Sequence, residues 1–282
     1  DALPVSRSVS LSELKKYEGD LFEKTFTEAM IYGDFEERDA KKVVSLFQEK
    51  TGTEAIVKDK AFQISYLEMD KPESIHYTDN LLVNNSCFYR KYVIGEDSPK
   101  TRATALIISK ALQQPFFTEM RTNQQLGYIV WSYIRNLDET FYLNFLIQSG
   151  VFPADELNTR ANDFISTAPE ILRSMDEETY KKLIESSIEE LEKKPMSISE
   201  RAAKLKTLIF EHSADYDRDR KTIEALRSLA KEEVATKMDY IVKEKTRKMI
   251  NVLTFADSHK NKTNYQNTFS NLEDWKSKRV FK

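Results

Sequence analysis

The stretch FFTEMRTNQQLGYIVWS, Phe116–Ser132, decides how the rest of this chain is read. Upstream of it, Thr101 to Gln114 is strongly apolar, with Ala105, Leu106, Ile107, Ile108 and Leu112, and reads as a buried helix. Pro115 stands where it can serve as the first residue of a new short helix, Phe116 to Arg121. Downstream, Leu126 to Tyr133 and Phe141 to Gln148 read as strands joined by the polar turn Asn136–Glu139. The stretch is therefore a junction where an apolar helix hands the chain to a sheet. Arg121 and Tyr128 stand at that junction, with Gly127 just before the phenol. Their chemistry allows two readings. An Arg in a last helical turn satisfies carbonyls and the negative end of the dipole, worth about 0.3 to 1 kcal/mol. A Tyr two residues into a strand fills a sheet face while its hydroxyl reaches water. In the other reading the two side chains point together at something outside the chain.

Working outward, Ser10 and Glu13 predict a capping box for a helix running to about Phe22. TFTEAMIY, Thr25 to Tyr32, predicts a strand closed by Gly33-Asp34. Glu36, Glu37 and Asp39 load the first turn of the next helix, whose apolar positions are Val43, Val44, Leu46 and Phe47, and Thr51-Gly52 stops it. This unit of some 50 residues is too small to bury a sound core alone. Residues 53 to 61 form a connector with a short strand. Phe62 to Leu67, Ile75 to Tyr77 and Cys87 to Ile94 then alternate, which predicts two or three strands, with turn signals at Lys71-Pro72 and Asn84-Asn85. The second half is helical: Asp155 to Arg173, Asp176 to Lys193, Ser197 to Phe210, and one or two helices over Thr222 to Lys243. Met249 to Phe255 reads as a late strand, and the polar tail holds a short turn around Leu272 to Lys278. Strands, then helices, then a returning strand predict an α+β layered sandwich, a mostly antiparallel sheet covered by helices. The division expected is residues 1–60, the trailing helix–strand–helix of an incomplete preceding domain, and residues 61–282, a complete domain.

With 46 acidic and 43 basic residues the formal charge is −3, so no net field favours nucleic acid or an anionic membrane. No run approaches the roughly 20 apolar residues that span a bilayer. The single Cys87 excludes an internal disulfide framework and a Cys-based zinc cluster. The chain opens on Asp1 rather than Met, with nothing beside it resembling a signal peptide, as a processed product or a fragment does. The compartment stays open between cytoplasm and periplasm.

Self-sufficient catalytic chemistry is missing from the pattern. The three histidines, His76, His212 and His259, form neither HxxEH nor HExxH, and no two lie at helical ligand spacing. The six scattered glycines build no phosphate-cradling loop, and GxSxG is absent. The acidic pairs Glu177-Glu178 and Glu189-Glu190 read as solvated helix faces.

Against that background the quoted stretch resembles the insulinase/pitrilysin (inverzincin) zinc peptidases, specifically their C-terminal half. There a helix ends in Arg-Thr, Gln-Leu-Gly-Tyr follows, and a strand leads to a second strand ending in Gln-Ser, here Phe145 to Ser149. Ile31-Tyr-Gly-Asp34, Lys193-Lys-Pro195 and Trp275-Lys extend the similarity at the level of pattern. The resemblance implies four homologous α+β domains in two halves that close around a chamber. Zinc and HxxEH belong to the first domain, outside this chain, and this chain carries no metal ligand. Arg121 and Tyr128 would then face the scissile bond, Tyr128 as the donor to the oxyanion and Arg121 as a holder of substrate carbonyls. Gly127 would let the backbone pass close to substrate. The expected partners are an N-terminal zinc-bearing half, on the same or a separate chain, and peptide substrates, with neither nucleic acid nor membrane. Alone, the chain is expected to hydrolyse nothing. The alternative is an inactive binding or assembly subunit that associates with a separate peptidase chain.

Overall fold

The computed structural model describes residues 8–62, 64–259 and 266–281, and places the chain in two compact units. The first comprises residues 1–65 and 195–214; the second comprises residues 66–194 and 215–282. The segment 195–214, which holds the helix Ile198–Glu211, thus groups with the N-terminal segment.

In the first unit, helix α1 (Leu11–Glu23) starts at Ser10 with the reciprocal capping box that the sequence predicts. Its side-chain oxygen accepts from the Glu13 amide, and the Glu13 carboxylate accepts from the Ser10 amide at 2.8 Å. Strand β1 is only Lys24–Thr25, paired in parallel with β2 (Glu54–Ala55). The expected strand over residues 25–32 is therefore cut short. A strand exists only where a neighbour takes its backbone groups, and here that neighbour is two residues long. Helix α2 (Glu37–Thr51) stops at Gly52, whose φ of 63° lets its N–H turn back to the Gln48 carbonyl. Neither α1 nor α2 buries a residue.

The second unit is built on one sheet. Strands β3 (Glu73–Asn80), β4 (Ser86–Glu96), β5 (Ile129–Leu137), β6 (Thr140–Ser149) and β7 (Lys248–Phe255) lie in the order β3-β7-β4-β6-β5. Only the β3–β7 pair is parallel. The returning strand thus inserts between β3 and β4 rather than adding to an edge. Among the described residues of the expected strand Phe62 to Leu67, which leave out Gln63, pairing is limited to an isolated bridge from Leu67 to Phe281, and Phe62 and Ile64 are 91% and 67% exposed. Its alternation had no sheet face to match.

Helix α3 (Pro99–Phe117) runs straight through Pro115, so the expected break there does not occur. Helices α4 (Ala154–Ser174) and α5 (Glu177–Glu192) follow, then α6 (Ile198–Glu211) of the first unit, α7 (Arg218–Ser228) and α8 (Lys231–Val242). A last short helix, α9 (Leu272–Ser277), lies in the tail, where residues 260–265 fall outside the described residues. One sheet face carries Phe88, Tyr92, Leu143, Phe145 and Ile147, packed with Ile107, Ile108, Leu112 and Phe116 of α3 and Leu157, Ala161 and Ile165 of α4. Phe116 meets Phe145 and Phe164 edge-on, with centroids 5.0 and 5.3 Å apart. Burying each such ring contributes about 1.5 to 3 kcal/mol. That packing anchors the end of α3, and with it the junction to β5.

Candidate functional site

Beyond Phe117 the helix widens into a π turn, Thr118–Asn123, closed by a hydrogen bond from the Gln124 amide to the Glu119 carbonyl at 3.0 Å. The Glu119 carboxylate accepts from Asn123 Nδ2 at 2.7 Å and Gln124 Nε2 at 2.8 Å, and these amide donors hold it below the usual carboxylate range. Gln124 in turn accepts from Arg160 of α4 at 3.2 Å, and Arg160 is ion-paired to Glu156. The wide turn is thereby tied to α4 on its outer side.

From there the chain reverses. Gln125 takes a left-handed φ of 52°, and the Leu126 amide bonds the Met120 carbonyl at 2.9 Å while its side chain is fully buried. Gly127 follows, its Cα pressed against β6. A Cβ there would lie far inside contact distance of the Gln148 carbonyl oxygen and 2.9 Å from its carbon. Only glycine fits. Tyr128 then turns outward just ahead of β5, rather than two residues inside a strand, and it is 80% exposed.

The geometry brings Arg121 and Tyr128 together. The Arg121 guanidinium carbon stands 4.6 Å from the centroid of the Tyr128 ring and 5.1 Å from that of Phe117. Two rings thus contact one cation, each contributing about 0.5 to 1 kcal/mol at such an exposed site. The Tyr128 hydroxyl makes no hydrogen bond to a described residue. Phe117, Glu119 and Gln124 are the members that sequence reasoning missed. A π turn follows no 3.6-residue period, so no pattern announces it; the Glu119 to Gln124 spacing is its only trace in the sequence.

Among the described residues no group of three or more His, Cys, Asp or Glu side chains is placed to hold a metal ion. Cys87 lies partly buried, its thiol pushed up to about 11 by burial, well away from nucleophilic chemistry at neutral pH.

These features sit in a chain whose relatives are peptidases. The insulin-degrading enzyme of Mus musculus is 27% identical over 232 residues, covering 80% of this chain and 23% of the enzyme. The chain is a homologue of the C-terminal half of the insulinase/pitrilysin peptidases. The family description "PQQ synthase PqqF-like, C-terminal lobe domain 4" matches residues 107–206, which include the whole junction from Phe116 to Ser149. The crystal structure of pitrilysin superposes with a TM-score of 0.78 at 20% identity, covering 98% of this chain and 30% of that one. A peptidase M16 inactive domain from Pseudomonas fluorescens superposes at 0.56 and 15% identity, over 88% of this chain and 57% of that one. The fold is thus the insulinase/pitrilysin α+β domain. The chain spans about a quarter of the length of the curated relatives it matches.

Proposed function

We propose that this chain is the non-catalytic C-terminal part of a zinc endopeptidase, forming part of the wall of a peptide-enclosing chamber. In this reading residues 1–60 are the end of an incomplete preceding domain, and residues 61–282 form the complete last one. The absence of any buried residue in α1 or α2 supports the first half of that division. The observation that carries the reading is the Arg121–Tyr128 pair, a cation stacked on an outward phenol whose hydroxyl has no hydrogen-bond partner among the described residues.

The zinc used by such an enzyme belongs to an N-terminal half outside this chain, where it supplies the Lewis acid and the nucleophile. This chain's residues do something else. When a peptide carbonyl is attacked, negative charge develops on its oxygen, and the Tyr128 O–H donates to that oxygen as the charge grows. Arg121, always protonated, offers a fork of donors to neighbouring substrate carbonyls or carboxylates. Its π contact with Tyr128 holds the two groups at one place, and Gly127 keeps the backbone low enough for a peptide to pass.

The test is reconstitution with a zinc-bearing N-terminal half. Tyr128→Phe is expected to lower kcat by about 10² or more while leaving KM nearly unchanged. Unchanged turnover removes the catalytic role and leaves the second reading, an assembly subunit. That reading is favoured by the fold's likeness to a domain described as inactive.

A further inference from the structure

The two edges of the sheet are treated differently. At β3, the tail covers the outer side: the Thr268 amide bonds the His76 carbonyl at 2.9 Å, and Thr268 Oγ1 accepts from the His76 amide at 2.8 Å. Asn267 brackets Thr78 in the same way, accepting from its amide and donating to its carbonyl. Phe269 stacks on Tyr77 at 5.5 Å. At β5, nothing comparable is found among the described residues. Among the described residues the strand pairs only with β6, so the backbone groups of alternate residues along Ile129–Leu137 that point away from β6 have no ladder partner. It carries no proline, bulge or lysine of the kinds that blunt natural edges.

A groove of about 710 Å³ runs beside this edge, between Val130–Tyr133 and Lys110, Gln113, Gln114 and Phe117 of α3. Ser132 lines it with a hydroxyl that is buried and has no hydrogen-bond partner. Trp131, which also borders the groove, is 55% exposed. From Met120 to Leu137 there are two arginines, Arg121 and Arg135, and no acid, while Glu119 stands just before this stretch and Asp138 and Glu139 just after it. Neither arginine forms an ion pair with a described residue.

We propose that the open edge of β5 and the groove beside it bind an extended acidic peptide as an added strand. Unpaired backbone donors and acceptors in pleated register are completed only by another extended backbone. Alternate side chains of that strand would enter the groove beside Phe117 and Gln113. A second copy of this chain is a poorer occupant, because its own β5 would bring two further arginines and no carboxylate to the strip. The proposal rests on the function above and deepens it: Arg121 and Tyr128 stand at the entrance to the same strand, so the bound peptide runs past them.

The experiment uses the full isotope-labelled chain and an aspartate-rich, proline-free peptide of about ten residues, enough to span a strand of this length. Two further peptides carry N-methyl groups on alternate amides, one in each frame, and a fourth replaces aspartate by lysine. Expected are slowed exchange at alternate amides within Ile129–Leu137, loss of about tenfold in affinity for one N-methyl frame only, and about tenfold weaker binding of the lysine peptide at low salt. Binding without protection in β5, equal tolerance of both frames, no binding at millimolar peptide, or protection from self-association instead would each overturn the proposal. The two readings fail separately. Frame-dependent binding at β5 with turnover indifferent to Tyr128→Phe sinks the catalytic role alone, whereas turnover that depends on Tyr128 without any β5 protection sinks the added strand alone.

Discussion

Replacing Gly127 by alanine adds one methyl group where the chain enters β5. That methyl would meet the Gln148 carbonyl group, 2.9 Å from its carbon and closer still to its oxygen, with Ser149 Cα at 3.4 Å. The obstacle is backbone, held on its far side by the β4–β6 ladder, where Gln148 pairs with Cys87. No side-chain rotation relieves it; either the turn at Gln125–Tyr128 or the end of β6 must move. Overpacking of this kind costs about 1 to 3 kcal/mol, and the rigid partner argues for the upper part of that range. For a folding unit of roughly 200 residues, each kcal/mol lowers Tm by about 2 to 4 °C, so a fall of about 5 to 10 °C is expected. Gly150→Ala is the control: its nearest neighbour is the Asn84 carbonyl oxygen at 3.5 Å, an ordinary contact, and its melt should stay within about 2 °C of the parent. Thermal unfolding of both variants by circular dichroism checks this. Equal melting temperatures would refute the claim that Gly127 is held by close approach. If Tyr128 acts as proposed above, a displacement of about 1 Å there is expected to cost about 10² in rate in the reconstituted enzyme.

Other outcomes are equally concrete. Lys91 lies with its ammonium 3.6 Å from the Tyr142 ring centroid, and burial, assisted by the charge of Arg135, draws it from near 10.5 down to about 8. Between those values the unfolded chain holds a proton that the folded chain has lost, so Lys91's contribution to stability rises with pH from about 8 to 10.5. Lys91→Met should flatten that rise in denaturant melts, and identical pH slopes for the two proteins would contradict it. Cys87, with its thiol at about 11, should resist alkylation in the native protein at pH 8; prompt labelling there would show the site to be open. Ser10→Ala removes the reciprocal cap of α1, so amide exchange over residues 11–14 should accelerate several-fold while the melt of the second unit stays put; unchanged exchange would mean the cap is idle.

Much of this protein follows from local chemistry. The capping box at Ser10, the left-handed stop at Gly52, the strands of the main sheet and the helices from Asp155 onward are written in side-chain period and end signals, which act over a few residues, although the stretch Thr222 to Lys243 left one or two helices open. Arg121, Gly127 and Tyr128 stand out for the same reason, as a short specific motif at a helix-to-strand junction. What local pattern could not decide was partnership. Residues 25–32 and 62–67 alternate like strands, yet a ladder needs a neighbour, and the tertiary structure supplies β1 with two residues and Leu67 with one bridge. Pro115 carries the signal of a helix start, but the packing of Phe116 against Phe145 and Phe164 keeps the helix continuous through it. Arg90 reads as one more basic residue in a strand. Only the fold surrounds it with Asn158 and Asn162 of α4 and Asn251 of β7, whose amide oxygens satisfy a guanidinium that burial would otherwise penalise. The open edge of β5 belongs to the same class. A sequence names the strand, but only the arrangement of all five shows which side is left without a partner.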